Sequence, residues 1–213
     1  MTDPVEERHA FEVTSSRTVY EGTIIAVRED DVVMPGGEVA SRSVVEHFGA
    51  VAVVAVDMDG NVVLIDQYRQ PVGRRLLELP AGLLDESGEE PLDAAKRELA
   101  EEAGLSATNW SVVTDLVLSP GISDESIRIY YATGLRPVDR PVPEHEEADI
   151  RIRTMPLNVA VSGVLSGLIE NSAAAVGILA AVASRDGYGA ARPADSPWTG
   201  RSLALARRKA GQA

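Results

Sequence analysis

The sequence predicts an α/β fold with antiparallel strands ahead of it, and three observations lead there. Short β-branched runs punctuated by glycine and proline fill residues 17–67. An amphipathic helix of about 13 residues fits between Pro91 and Gly104, and further strands followed by apolar helices complete the order.

In chain order, residues 17–47 read as strands over Thr18–Val27, Asp31–Met34 and Glu38–Glu46, the last two joined by Pro35-Gly36-Gly37. That glycine pair marks a hairpin turn and not a phosphate loop, because neither a Lys-Ser/Thr pair nor a helix follows it. Val19, Ile24, Val27, Val32, Val39 and Val44 are apolar positions on strands whose edges need a partner surface, so residues 1–47 are expected to form a two-fold homodimer. Ala50–Val56, a turn at Asp57-Met58-Asp59-Gly60, and Val62–Gln67 read as a second hairpin with a buried, Val-rich first strand.

In the helix that follows, Pro91 suits the first turn and Gly104 the C-terminal cap, while Leu92, Ala95, Leu99 and Ala103 recur at helical spacing and should face the core. Strands are expected at Ser111–Leu118 and Ile127–Thr133. The apolar tract Val159–Ala183 is broken by Glu170, Asn171, serines and glycines, which favours two packed helices over a membrane span. Helix ends near Ser184, and the Pro-, Gly- and Arg-rich remainder reads as a surface-packed terminus. The expected division is 1–47 for dimerising strands, 48–184 for the main domain and 185–213 for the tail.

At 213 residues and 45% hydrophobic content, the chain has room for one good-sized domain with extensions. It has no cysteine, which excludes disulfides and thiolate metal sites and suits a reducing compartment. The first twelve residues lack a basic region followed by an apolar run, so a cytoplasmic setting is expected. A net charge of −13 argues against nucleic-acid binding.

The densest chemistry lies between Gly82 and Leu105. Glu98, Glu101 and Glu102 stand at i, i+3 and i+4, so their carboxylates rise from neighbouring points of one helical face and repel one another. An acidic helix face is ordinarily a solvated one. Here an all-oxygen donor set, with no sulfur or imidazole beside it, suits a hard cation, Mg2+ before Zn2+.

The spacing is more specific than the composition. Arg97-Glu98-Leu99-Ala100-Glu101-Glu102-Ala103-Gly104-Leu105 resembles, without a gap, the Arg-Glu-apolar-x-Glu-Glu-x-Gly-apolar core of the Nudix hydrolase family, and Glu89, eight residues before Arg97, matches that motif's first glutamate. The family pattern has five residues between its glycine and this glutamate, whereas six separate Gly82 from Glu89. Either the loop carries one extra residue, with Gly88 helping it turn, or Leu83 holds the glycine position; the approach Pro80-Ala81-Gly82 favours the insertion. Gln67-Tyr68-Arg69-Gln70, Leu77-Glu78-Leu79-Pro80-Ala81-Gly82 and Ser119-Pro120-Gly121-Ile122-Ser123-Asp124-Glu125 narrow the likeness to the ADP-ribose pyrophosphatase branch, actinobacterial type. Pro120 falls fifteen residues past Leu105, where that branch carries a distinguishing proline, and the likeness runs from about Val19 to Ala183.

This resemblance implies a Nudix-type α/β/α sandwich with a mixed sheet, and Mg2+-dependent hydrolysis of ADP-ribose to AMP and ribose 5-phosphate, with Mn2+ as the alternative cation. Carried over by position, Glu98, Glu102 and the Ala81 carbonyl become metal ligands, Glu101 a third ligand or a support for bound water, and Arg97 the group that orients the glutamates. The base is implied on the loop Glu144–Asp149, Glu147 first and Glu146 beside it, with His145 a bystander because a carboxylate suffices there. Arg69 is implied as a substrate contact, and Glu78 either binds substrate or pairs with Arg74 or Arg75. Arg42 and Asp124 or Glu125 would come from the second subunit of a dimer. Two alternatives accompany this reading: the box handles the diphosphate and not its flanking groups, so another nucleoside diphosphate sugar or a dinucleoside polyphosphate fits it as well. A non-catalytic ADP-ribose sensor is the other; such proteins usually lose box carboxylates and gain a basic DNA-binding domain, while this chain keeps the carboxylates and has only a short basic tail.

Overall fold

The computed structural model describes residues 10–140, 142 and 148–211. The chain divides into two compact units, one of residues 1–48, 119–125 and 202–213, the other of residues 49–118 and 126–201.

The first unit is built on an antiparallel sheet of β1 (Val13–Glu21), β2 (Ile25–Val33) and β3 (Val39–His47), in that order. The single strand expected over Thr18–Val27 is thus two strands, broken where the Gly22 N–H donates to the Ile25 carbonyl at 2.9 Å. β-branched residues on both sides of Gly22 hide the break in the sequence, but the tight bend favours glycine: a Cβ there would lie 2.7 Å from the Tyr20 hydroxyl. Pro35-Gly36-Gly37 does turn the chain between β2 and β3, with Gly37 at φ 85°. A short C-terminal helix, Ala204–Lys209, returns to this sheet, where Leu205 is fully buried with Ala26 and Phe48. Its Arg208 donates to Glu46 through Nε at 2.7 Å and Nη2 at 2.9 Å, while Arg28 Nη1 donates to the same carboxylate at 2.9 Å.

The second unit carries β4 (Ala50–Ala55), β5 (Asn61–Arg69), β6 (Arg74–Glu78), β7 (Ala81–Leu83), α1 (Pro91–Ala103), β8 (Leu105–Ser106), β9 (Asn109–Val117) and β10 (Ser126–Thr133). β11 (Arg136–Pro137), β12 (Arg151–Pro156), α2 (Leu157–Leu165), α3 (Ser172–Arg185) and β13 (Arg192–Pro193) follow. Its mixed sheet runs β13-β9-β10-β4-β7, with β4 and β10 parallel and the other pairs antiparallel; a second sheet runs β12-β5-β6. β4 and β5 therefore do not form the expected hairpin. The edges of β4 are taken by β10 and β7 and those of β5 by β12 and β6, which leaves only a bridge between Val56 and Val62 where the two strands part.

Burial on both faces explains the apolar run of β4. Ala50, Ala52 and Val54 enter one cluster with Ile129 and residues of α2 and α3, while Val51, Val53 and Ala55 enter another with Ala94, Ala95, Leu99 and Ala103 of α1. The helices lie close on the sheet: a Cβ on Gly177 of α3 would come within 2.9 Å of Leu79 and 3.1 Å of Val54. Helix α1 has the expected limits. Pro91 opens it, and Gly104 closes it at φ 65°, its N–H shared between the carbonyls of Ala100 and Leu99. Of the four residues expected to face the core, Ala95, Leu99 and Ala103 are buried and Leu92 packs half-buried beside them. α2 and α3 are the two expected C-terminal helices, α3 capped by Asn171, whose side chain accepts the Ala174 N–H at 2.9 Å. Among the described residues no helix is long and apolar enough to cross a membrane.

Candidate active site

Helix α1 presents its last two turns to β7, and that contact organises the acidic face. Glu98 and Glu102 are buried on α1, an uncommon state for carboxylates and one that requires partners. The Ala81 N–H donates to Glu102 Oε2 at 2.8 Å, tying β7 to the helix. Gly82 is needed beside it, because a Cβ on this residue would sit 1.8 Å from Glu98 Oε1. Gly82 therefore meets the helix as the box glycine would, and the loop after β7 turns at Gly88, which has φ 83°. An extra residue in that loop is accommodated without moving Gly82 away from the carboxylates.

Arg97 supplies the counter-charge. Its Nε and Nη2 donate to the two oxygens of Glu89, both at 3.0 Å, and its Nη1 donates to Glu98 at 2.7 Å and to Glu101 at 2.9 Å. The Glu89 hydrogen bonds, with those from Glu98 and Glu101, push the guanidinium above its ordinary pKa, so it stays charged at every working pH. One guanidinium thus serves three carboxylates.

The remaining residues singled out by the sequence fall in several places. Arg69 and Glu78 pair across β5 and β6, with Nε to Oε1 at 3.1 Å and Nη2 to Oε2 at 2.7 Å. Glu78 is thereby buried against Arg69, whereas Arg74 binds Glu170 and Arg75 binds Asp66 and Asp149. Arg42 lies exposed on β3, donating to the Ser41 carbonyl at 3.0 Å. Asp124 accepts the His47 N–H at 2.9 Å, and burial raises its pKa; the Glu125 carboxylate stands 4.0 Å from His47 Nε2. These three belong to the first unit. Glu146 and Glu147, with His145, lie outside the described residues.

Two arginines that sequence reasoning passed over stand out in the second unit. Arg128, on β10, is almost fully buried; it donates to both oxygens of Asp115 at 2.7 and 3.0 Å and lies 4.9 Å over the Trp198 ring. A basic residue inside the apolar run Ile127–Tyr131 was the available signal. Arg140 donates from Nε to the Glu101 carbonyl at 2.6 Å, and nothing local in the sequence announces it.

Oxygen donors on one helix face, with a glycine cradle against them, fit a hard divalent cation. Among the described residues no three acidic side chains are already drawn together as a cage; Arg97 is the counter-charge they share instead. The residues that would hold a cation are Glu98, Glu101 and Glu102 with the Ala81 carbonyl.

A family model for the NUDIX domain matches residues 46–172, and one for the nucleoside diphosphate sugar hydrolase N-terminal domain matches residues 11–45. The chain belongs to the Nudix family, whose hydrolases generally use a divalent metal. It is 52% identical over 202 residues to the ADP-ribose pyrophosphatase of Mycobacterium tuberculosis, covering 95% of this chain and 98% of that one. It is 32% identical over 170 residues to the methanol dehydrogenase activator of Bacillus methanolicus, covering 79% of this chain and 91% of that one. A crystal structure of an ADP compounds hydrolase superposes with a TM-score of 0.71 at 23% identity, over 85% of this chain and 97% of that one, which establishes the shared fold.

Proposed function

We propose that this chain hydrolyses ADP-ribose to AMP and ribose 5-phosphate, with Mg2+ as its cation and Mn2+ as the alternative. The observation that carries the reading is one helix face on which Arg97 holds Glu98 and Glu101, Glu98 lies against Gly82 and Glu102 accepts the Ala81 N–H, in a chain 52% identical to a protein named ADP-ribose pyrophosphatase. The Bacillus methanolicus relative is named for a different activity, so the substrate rests on the more similar protein.

A divalent cation held by Glu98, Glu101, Glu102 and the Ala81 carbonyl would withdraw charge from the diphosphate and offset its repulsion by a chain of net charge −13. Arg97 holds the carboxylates apart and in register while that charge is in place. Glu147, or Glu146 beside it, takes a proton from the attacking water as its oxygen bonds to phosphorus, and the bond from phosphorus to the bridging oxygen breaks to release the two monophosphates. Arg69, aimed by its two bonds to Glu78, contacts the substrate. Incubating the protein with a panel of nucleoside diphosphate compounds and Mg2+ or Mn2+, with products separated by chromatography, tests the reading: AMP and ribose 5-phosphate should form from ADP-ribose faster than cleavage of any other compound on the panel.

The match of residues 11–45 to a nucleoside diphosphate sugar hydrolase domain accommodates ADP-ribose and equally a second reading, in which the substrate is another nucleoside diphosphate sugar; the same panel separates the two. We further propose a homodimer formed through residues 1–47, with Arg42 and Asp124 or Glu125 reaching the neighbouring site. Val13, Val19, Tyr20, Ile24 and Val39 are exposed on and beside β1–β3, which supports it. Light scattering at micromolar concentration should then report twice the chain mass. A cytoplasmic setting, suited to a cysteine-free chain, completes the proposal.

A further inference from the structure

Helix α1 ends where its chemistry is concentrated, and the carbonyls of its last turn have no partners within the helix. Leu99 and Ala100 share the Gly104 N–H, so the next carbonyl, that of Glu101, must be satisfied from outside. The chain returns to it 39 residues later. Pairing of β11 with β8, and the Val138 N–H bonded to the Gly104 carbonyl at 2.9 Å, lay residues 136–140 along the helix end, and Arg140 Nε reaches the Glu101 carbonyl at 2.6 Å. The backbone of a box glutamate is therefore fixed by a charged donor, while its side chain is fixed by Arg97.

The other arm of Arg140 sharpens the point. Its Nη2 is buried without a hydrogen-bond partner among the described residues. Leaving a donor so placed is costly, more so for a charged group, and a neutral side chain would avoid it. What the cation gains there is the negative end of the α1 dipole and the carbonyl of a residue in the acidic face.

We propose that Arg140 is a positioning residue: by capping the Glu101 carbonyl it fixes the last turn of α1 and with it the spacing of Glu101 and Glu102 for the divalent cation. This rests on the reading of the box given under the proposed function. Two effects oppose each other in any variant. Removing Arg140 takes a like charge away from the bound cation, which tightens binding, and releases the turn, which weakens it. The short bond to the backbone makes the second effect the larger, so the sign of the change is diagnostic.

The test is Mn2+ binding to the whole protein without substrate, followed by electron paramagnetic resonance of the free ion. Arg140→Met keeps the apolar stem and removes the donors; it should weaken Mn2+ binding about tenfold, as loss of a group supporting a metal ligand does. Arg140→Lys, which keeps a charged donor, should recover most of that loss. Unchanged or tighter binding in folded Arg140→Met overturns the proposal, as does a lowered melting temperature without a change in Mn2+ affinity. Should Arg140→Met not fold, the comparison of wild type with Arg140→Gln decides in the same way, weaker binding supporting the proposal and equal or tighter binding overturning it. Glu102→Gln serves as the control. If it loses Mn2+ while Arg140→Met does not, only the positioning role falls; if Glu102→Gln binds Mn2+ as the wild type does, the box reading falls and this one with it.

Discussion

Two buried charge clusters in this chain look alike in composition and differ in balance. In the second unit, Arg97 is shared by Glu89, Glu98 and Glu101, with Glu102 beside them on the same helix. In the first unit the ratio is reversed: Glu46 is shared by Arg28 and Arg208, and Arg28 turns its Nε to Asp30 at 2.9 Å. A cluster whose charges cancel internally needs nothing more and fastens elements together, here the C-terminal helix to β2 and β3. A cluster in which carboxylates outnumber the arginine that bonds them can take up a further cation. On the function proposed above, the same chemical groups make a fastening in one place and a metal site in the other.

The largest effect expected from breaking that contrast is at Glu102. Glu102→Gln removes a charge from the surplus while keeping the side-chain shape, and the amide oxygen can still accept the Ala81 N–H. Hydrolysis should fall by about 100-fold or more at saturating Mg2+, the loss expected for a direct ligand. Circular dichroism and a thermal melt should show an intact fold, with the metal-free protein at least as stable as the wild type because a repulsion has gone. Activity within about threefold of wild type would remove Glu102 from the metal site.

A second test asks whether the functional surplus of acid extends beyond α1 to the loop of Glu146 and Glu147. Glu147→Gln should lower turnover strongly and leave substrate affinity nearly unchanged, because a base acts in the transition state more than in binding. Measuring kcat and KM for Glu147→Gln and Glu146→Gln side by side decides the assignment. If only the second variant loses turnover, the base is Glu146.

How much of this contrast was legible in the sequence follows from the range of the interactions. α1 was readable to the residue because Pro91, Gly104 and its apolar spacing all act within one helix, and the carboxylate face came with it. Gly82 was readable as a glycine position, but the reason for it, the oxygen of Glu98 within 1.8 Å of any Cβ, is a contact sixteen residues away. The parting of β4 and β5 was hidden, since a four-residue turn between two Val-rich strands looks like a hairpin until β10 and β12 take their edges. Pairing choices among neighbours were equally opaque: Glu78 bonds Arg69, which lies on the neighbouring strand but opposite Arg74 in register, while Arg74 and Arg75 find Glu170 and Asp66. The fastening at Glu46 could not be read at all, for Arg208 lies 162 residues away.

That fastening gives the smallest expected effect. Glu46 is held below its usual pKa of about 4.5 chiefly by the hydrogen bonds from Arg208, with Arg28 adding to them against the cost of burial. A carboxylate whose pKa is lowered by folding stabilises the native state fully above its unfolded value, and the stabilisation fades as pH falls through the lower native value. Glu46→Gln should therefore destabilise the protein at pH 7 by about 2 kcal/mol, less than a fully enclosed pair would lose because Arg208 is partly exposed and Arg28 keeps Asp30. For a chain of this size that corresponds to a melting temperature lower by roughly 4–8 °C. The gap between variant and wild type should begin to close as pH drops below about 4.5, where the unfolded carboxylate gains its proton, and be gone once the pH is below the lower native value. The Mg2+ dependence of hydrolysis should stay where it was. If it moves with Glu46→Gln, the balanced cluster is more than a fastening, and counting charges no longer separates the two regions.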